Sequence, residues 1–304
     1  MTCKTNTLGG FGVALVTPFT SDYEVDYSAL EKLIEFQIAG GVDFLVTLGT
    51  TAETPTLTEE EQIKIVAFVQ KIVEGRVPIV VGMGGNATRE LCKKIRCFPM
   101  DGVSAILSVA PYYNKPSQEG LYAHFSEVVE ASSKPVILYN IPGRTGVNMQ
   151  VETVLRLAQA FPGKVIGIKE ASGSITQIER ILKQRPSNFA LFSGDDSSTL
   201  SYISMGGDGV ISVIGNALPK EFGGLVSLCR QGKFAEAAHV QRSLVELYEL
   251  LFVEGNPSGI KSALHCMDLI ENVLRLPLVP CTPVVYSRIR QFLSRMGYCR
   301  IDNP

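Results

Sequence analysis

Tryptophan is absent from this chain, histidine occurs only three times, and no two of its seven cysteines form a C-x-x-C pair. His124, His239 and His265 lie far apart, each in a helical-looking stretch. They offer no zinc-ligand spacing, so no metal is expected. The cysteines (Cys3, Cys92, Cys97, Cys229, Cys266, Cys281 and Cys299) are scattered and odd in number. That pattern suits reduced thiols better than a disulfide framework. No stretch approaches the roughly 20 apolar residues of a membrane helix. The opening MTCKTNTLGGFG has no apolar core of signal-peptide length. A cytoplasmic protein without a membrane partner is therefore expected. Charge of one sign is also lacking: 28 Lys and Arg against 30 Asp and Glu leave a net charge of -2. With no basic stripe, nucleic acid is not an expected partner. A small anionic substrate needs only a local Arg or Lys.

What is present is a repeated alternation. Eight short apolar runs, at residues 12–19, 44–47, 78–81, 103–109, 136–139, 165–168, 190–192 and 210–214, are rich in Val and Ile. Short runs without polar alternation read as parallel strands buried on both faces. Amphipathic stretches fall between them, at residues 27–39, 58 onward, 88–95, 118–131, 150–161, 175–183 and 197–205. Thr58 with Glu61 has the form of a helix cap, and Gly40-Gly41 that of a helix stop. Eight such runs in strict alternation with helical stretches predict an α/β fold, a (β/α)₈ TIM barrel. After Gly215 the pattern becomes helix only, at about 219–251 with a break near Gly232, then 259–269 and 283–296. The expected organisation is a catalytic barrel over residues 1–230 and an appended C-terminal helical region over 231–304. The Gly- and Pro-containing dozen residues after Glu254 read as a hinge.

Each run ends in small or polar residues, at the rim where barrel enzymes gather their chemistry. Lys169 closes the run Val165-Ile166-Gly167-Ile168-Lys169. Alternation puts Val165, Gly167 and Lys169 on one face, and the glycine marks that face as the crowded inner one. A lysine facing into a barrel loses hydration, which lowers its pKa toward the neutral amine that attack on a carbonyl requires. The bland alternative is a lysine reaching solvent, or one paired with Glu170 or Asp195. Tyr139 ends the preceding strand, where a phenol could relay protons or simply pack. Tyr112 and Tyr113 lie between prolines, fitting a substrate lid or a subunit contact. Arg144, in a turn-rich loop, suits a carboxylate grip or an exposed ion pair. Gly82-Met83-Gly84-Gly85-Asn86-Ala87 has the outline of a dinucleotide fingerprint, but it is short and lacks the acidic strand end that should follow.

Taken together, Gly49-Thr50-Thr51-Ala52-Glu53, Pro111-Tyr112-Tyr113-Asn114, the stretch Tyr139 to Gly146, Gly167-Ile168-Lys169-Glu170-Ala171-Ser172-Gly173 and Ser193-Gly194-Asp195-Asp196 resemble the dihydrodipicolinate synthase family, in order and over nearly the whole chain. The resemblance implies a pyruvate-dependent Schiff-base enzyme without a metal or organic cofactor, with pyruvate and aspartate semialdehyde as substrates. It implies that Lys169 forms the imine and that Tyr139 shuttles protons. Thr51 would link Tyr139 to a Tyr113 supplied by a neighbouring subunit of a homotetramer, a dimer of tight dimers. Thr50 and Thr51 would hold the pyruvate carboxylate, and Arg144 the carboxylate of the second substrate. Gly194 and the carbonyl of Ile211 would shape the pocket. Ala52 stands where the family usually has Gly. The lysine-inhibition site of bacterial relatives corresponds to Thr54, Asn86, Glu90 and Tyr112, with Glu59 and Gln62 at positions that carry histidine elsewhere. The runner-up that the resemblance allows is an N-acetylneuraminate lyase-like or other 2-oxo acid aldolase releasing pyruvate. The Gly-Arg-Thr-Gly loop around Arg144 argues against it.

Overall fold

The structure, a computed structural model, describes residues 8–300. Eight strands, β1 (Gly10–Ala14), β2 (Phe44–Thr47), β3 (Ile79–Gly82), β4 (Ala105–Val109), β5 (Val136–Asn140), β6 (Val165–Glu170), β7 (Ala190–Ser193) and β8 (Gly209–Ser212), form a closed barrel in sequence order. Every pairing is parallel, and β8 returns to β1. This is the expected (β/α)₈ TIM barrel, and all eight apolar runs became strands. The first run is displaced: pairing stops at Ala14, although Leu15, Val16 and Phe19 remain buried. Burial there belongs to an irregular segment that the composition does not distinguish from a strand.

The helices of the barrel are α1 (Tyr27–Ala39), α2 (Glu59–Val73), α3 (Thr88–Cys97), α4 (Gln118–Ala131), α5 (Pro142–Thr145), α6 (Val151–Ala160), α7 (Ile175–Gln184) and α8 (Thr199–Ser204). The expected cap of α2 is a complete capping box. The Thr58 hydroxyl accepts from the Glu61 amide, and the Glu61 carboxylate accepts from the Thr58 amide. Four further helices follow: α9 (Pro219–Arg230), α10 (Phe234–Phe252), α11 (Ser258–Cys266) and α12 (Pro283–Arg295). The break near Gly232 is present, with that glycine at φ 74° between α9 and α10. α10 packs on α8 and α9 and carries α11 and α12.

Two apolar layers result. The outer one lies between strands and helices. The inner one fills the barrel with Phe44, Val46, Val80, Leu107, Ile137, Phe192 and Ile211, so the barrel is a packed plug and not a pore. A bulge between β5 and β6 changes the expected alternation. Val136 pairs with Val165 and Ile137 with Gly167, which leaves Ile166 extra. Val165 therefore joins the outer layer while Ile166 packs against the inner one. Gly167 and Lys169 keep the face expected of them, because the bulge lies before both.

No helix among the described residues is long and apolar enough to cross a membrane. The six cysteines among them are free thiols. Cys3 lies outside the described residues.

Candidate active site

A cavity of about 540 Å³ opens at the ends of the strands. Its floor is the inner plug, and its wall carries Thr50, Thr51, Tyr139, Arg144, Lys169 and Gly194. Six of the eight residues expected in catalysis or substrate binding thus share one space. Tyr113 and Ile211 do not line it. Ile211 lies in the plug beneath, and Tyr113 projects outward, 89% exposed, with φ 73°.

Lys169 and Tyr139 are paired residues on neighbouring strands, so parallel register alone sets them side by side. The Lys169 Nζ rests 4.5 Å from the centroid of the Tyr139 ring. Both side chains are buried. Burial pushes the Lys169 amine down to about 8; the Asp196 carboxylate opposes this and the Arg144 guanidinium adds to it. Burial likewise pushes the Tyr139 phenol up to about 12, partly offset by Arg144 and by a hydrogen bond with the Thr50 side chain. An amine near 8 has a sizeable neutral fraction at physiological pH, while a phenol near 12 keeps its proton.

The pairing of Lys169 with Glu170 or Asp195 does not occur. Glu170 points to the other side of the sheet. There its carboxylate accepts from Asn140 at 3.0 Å, from Gln177 at 3.0 Å and from the Ser172 amide at 2.7 Å. Asp195 accepts from the Ser197 hydroxyl at 2.7 Å. The acid that faces the lysine electrostatically is Asp196, buried and held by the amides of Val213 and Ile214. Burial pushes its carboxyl up to about 6, with those amides and the Ser212 hydroxyl opposing. Gly194 leaves room for the lysine: a Cβ there would lie 3.2 Å from Lys169 Cε and 2.7 Å from Ala171 Cβ.

The two threonines are distributed differently from the expectation. They form a 3₁₀ turn, Thr50–Ala52, so successive side chains point about 120° apart. The hydroxyl that reaches Tyr139 is that of Thr50. Thr51 turns inward, and its Oγ1 accepts from Asn256 Nδ2 at 3.0 Å. The link to Tyr139 assigned to Thr51 is in this structure a contact of Thr50.

Asn256 is a site residue that the sequence reading missed. The segment read as a hinge is instead buried at Asn256 and Ser258 and brings Asn256 to the cavity wall. Its carbonyl accepts from Arg144 Nη2 at 3.1 Å, which fixes the guanidinium at the mouth. Arg144 itself sits in the short α5, closed by Gly146 at φ 74°. Glu53, just past the two threonines, is also buried and makes an ion pair with fully buried Lys261 at 2.5 Å.

Of the four residues corresponding to a lysine-inhibition site, Thr54 and Tyr112 line the cavity, whereas Asn86 and Glu90 stand exposed outside it. Asn86 Nδ2 donates to the Tyr112 carbonyl at 3.2 Å. Lys94, unremarked in the sequence, reaches the same wall and hydrogen-bonds Gln62. The glycine motif at 82–87 has a packing reason: a Cβ on Gly82 would lie 2.1 Å from the Leu48 carbonyl oxygen. Among the described residues no cluster of three or more His, Cys, Asp or Glu could hold a metal ion.

The Dihydrodipicolinate synthetase family model matches residues 7–296. The chain is 53% identical over 290 residues to the 4-hydroxy-tetrahydrodipicolinate synthase of Parabacteroides distasonis, covering 95% of this chain and 97% of that one. It is similar in structure to the dihydrodipicolinate synthase of Thermotoga maritima, with a TM-score of 0.93, 41% identity and coverage of 96% and 100%. The dihydrodipicolinate synthase of Aquifex aeolicus gives a TM-score of 0.92, 39% identity and coverage of 96% and 99%.

Proposed function

This chain belongs to the dihydrodipicolinate synthetase family, and we propose that its site condenses pyruvate with L-aspartate 4-semialdehyde on a Lys169 Schiff base, the 4-hydroxy-tetrahydrodipicolinate synthase reaction of the diaminopimelate route to lysine. The observation that carries the reading is one amine: Lys169, buried at the barrel mouth, with its pKa pushed down to about 8, beside a Tyr139 phenol that keeps its proton.

The neutral amine attacks the C2 carbonyl of pyruvate, and loss of water leaves a protonated imine. That cation is an electron sink, so a methyl proton departs to give an enamine. Tyr139 donates and accepts protons in these steps, and the Thr50 hydroxyl holds the phenol in place. Thr50 and Thr51 hold the pyruvate carboxylate. Arg144 at the mouth grips the carboxylate of the semialdehyde, whose aldehyde carbon then faces the enamine. Carbon–carbon bond formation turns the aldehyde into a hydroxyl. The amino group of the same molecule closes on the imine carbon and expels Lys169. One water leaves in the whole sequence, and the lysine amine supplies the electrophilic activation. Gly194 bounds the space beside the lysine, above the plug that holds Ile211.

The remaining assignments are part of the same proposal. The 89% exposure of Tyr113 supports a role in a neighbouring copy's site, hence a homotetramer of tight dimers. A monomeric mass in sedimentation would leave that residue without its task. Thr54, Asn86, Glu90 and Tyr112 are proposed as a regulatory site for lysine beside the cavity, and the cytoplasm as the compartment. The division into a barrel over 1–230 and a helical region over 231–304 is also proposed, with the helical region helping to build the site through Asn256.

The test is reductive trapping. Pyruvate with borohydride should attach to Lys169 alone, read by peptide mass, and the enzyme should then condense pyruvate with aspartate semialdehyde. Cleavage of N-acetylneuraminate without condensation would favour the aldolase reading. Absence of trapping would end both.

A further inference from the structure

Asn256 touches the site twice, in two chemically different ways. Its side-chain Nδ2 donates to Thr51 Oγ1 at 3.0 Å, and its main-chain carbonyl accepts from Arg144 Nη2 at 3.1 Å. It is buried, and Thr51 is buried with it. The other half of the amide, Oδ1, is buried and has no hydrogen-bond partner. A buried polar atom left unpaired calls for an explanation, and packing alone supplies none, because an apolar residue of that size would avoid the cost.

We infer that Asn256 is a positioning residue that fixes the direction of the Thr51 hydroxyl. A hydroxyl has one proton to give and two lone pairs. Once Nδ2 donates to Oγ1, a lone pair of that oxygen is occupied and the hydroxyl proton is directed elsewhere, toward the cavity that Thr51 lines. A carboxylate placed there meets a donor in a fixed orientation. Had the residue been an aspartate, it could only accept, the Thr51 proton would be spent on it, and a second negative charge would face the substrate. The unpaired Oδ1 is then the cost of holding Nδ2 on Thr51. Because Arg144 is held by the main chain of the same residue, the side chain serves the pyruvate end of the cavity and the backbone serves the other end.

This rests on the reading that pyruvate forms its imine on Lys169, and the experiment separates the two. Wild type, Asn256→Ala, Asn256→Asp, Thr51→Val and the Thr51→Val/Asn256→Ala double variant are compared as full chains. Half-saturation by pyruvate is read from borohydride trapping and from steady-state turnover. Asn256→Ala should raise the pyruvate requirement roughly tenfold. Asn256→Asp, of nearly the same shape, should raise it further. The double variant should be no worse than Thr51→Val alone, since the two residues act as one unit. KM for aspartate semialdehyde should stay within about twofold, because the carbonyl holding Arg144 survives every substitution at 256. Losses that multiply in the double variant, or a change confined to the semialdehyde KM, would overturn the inference. If Asn256→Ala fails to fold, Asn256→Asp decides alone: a wild-type pyruvate requirement in that variant overturns it. Failure of the wild type to trap pyruvate at all would instead sink the functional reading.

Discussion

Among the described residues two lysines are buried, and of the two only Lys169 lines the cavity. Lys169 and Lys261 are 5% and 0% exposed, and burial is the first cause that lowers the pKa of each. They differ in company. Lys261 Nζ has Glu53 Oε1 at 2.5 Å, the Val273 carbonyl at 2.9 Å and the Phe19 ring at 4.1 Å. The Glu53 carboxylate supports its charge, the Arg275 guanidinium opposes it, and it holds together the turn bearing Thr50 and Thr51, α11 and the segment before Arg275. Arg275 completes the set by donating its amide to Glu53 at 3.0 Å and its guanidinium to Glu61. Lys169 has the Tyr139 ring at 4.5 Å, the charge of Asp196 pulling its pKa up and that of Arg144 pulling it down. Burial alone therefore does not make a lysine reactive. Reactivity needs burial beside open space, without a carboxylate in contact.

The comparison breaks most sharply at Lys169. Lys169→Met should lower turnover by at least about a thousandfold, as loss of a covalent catalyst does. The same variant should melt at or above the wild-type temperature, because it removes a desolvated amine that serves chemistry and not the fold. A variant that is inactive because it has unfolded would contradict this. Next in size is Lys261→Met, which leaves the buried Glu53 carboxyl without the cation that contacts it. That should cost about 3–5 kcal/mol in denaturant unfolding, with activity lost only as the fold is lost. A stable but inactive Lys261→Met would mean that this lysine takes part in the chemistry after all.

Much of this was legible in the sequence, and the rest was not for definite reasons. Parallel strands buried on both faces leave short runs of Val and Ile, so eight strands could be counted without coordinates. Lys169 stood out because a charge at the end of such a run breaks its composition. The roles of Thr50, Arg144 and Tyr113 came from resemblance, and spacing alone could not have assigned them. The bulge at Ile166 was invisible because one extra residue leaves the composition unchanged. Asn256 and Lys261 were missed because their partners lie about two hundred residues away, and a Gly- and Pro-bearing stretch reads as a loop whether or not it is buried. Glu53 stands in the sequence only as part of a motif, although a carboxylate that ends a buried turn calls for a cation.

The pH profile sharpens the same contrast with a smaller effect. Since attack needs the neutral amine, kcat/KM for pyruvate should rise with pH through about 8 and then level, with Lys169 as the group responsible. Tyr139, pushed up to about 12, keeps its proton across that range and should not contribute. Stability follows the same sign. The folded amine binds its proton less tightly than an unfolded lysine near 10.4, so the unfolded chain holds more protons between about 8 and 10.4. Wild type should therefore gain stability relative to Lys169→Met as pH rises through that window. A kcat/KM profile flat from pH 6 to 9 would place the titrating amine elsewhere.

The smallest expected effect is the most discriminating for Lys261. Glu53→Gln/Lys261→Met removes both charges, while the new amide oxygen can still accept from the Arg275 amide as Glu53 does. If the lysine exists to neutralise Glu53, the double variant should recover most of the loss, to within about 1–2 kcal/mol of wild type. The residual cost would reflect the Val273 carbonyl left without its donor. Recovery would show that the pair is exchangeable for a neutral one and that the turn carrying Thr50 and Thr51 is held by shape together with the Arg275 bond. A double variant as unstable as Lys261→Met alone would instead assign the stabilisation to the contacts of the amine with Val273 and Phe19. The two lysines would then differ in geometry and no longer in the balance of charge around them.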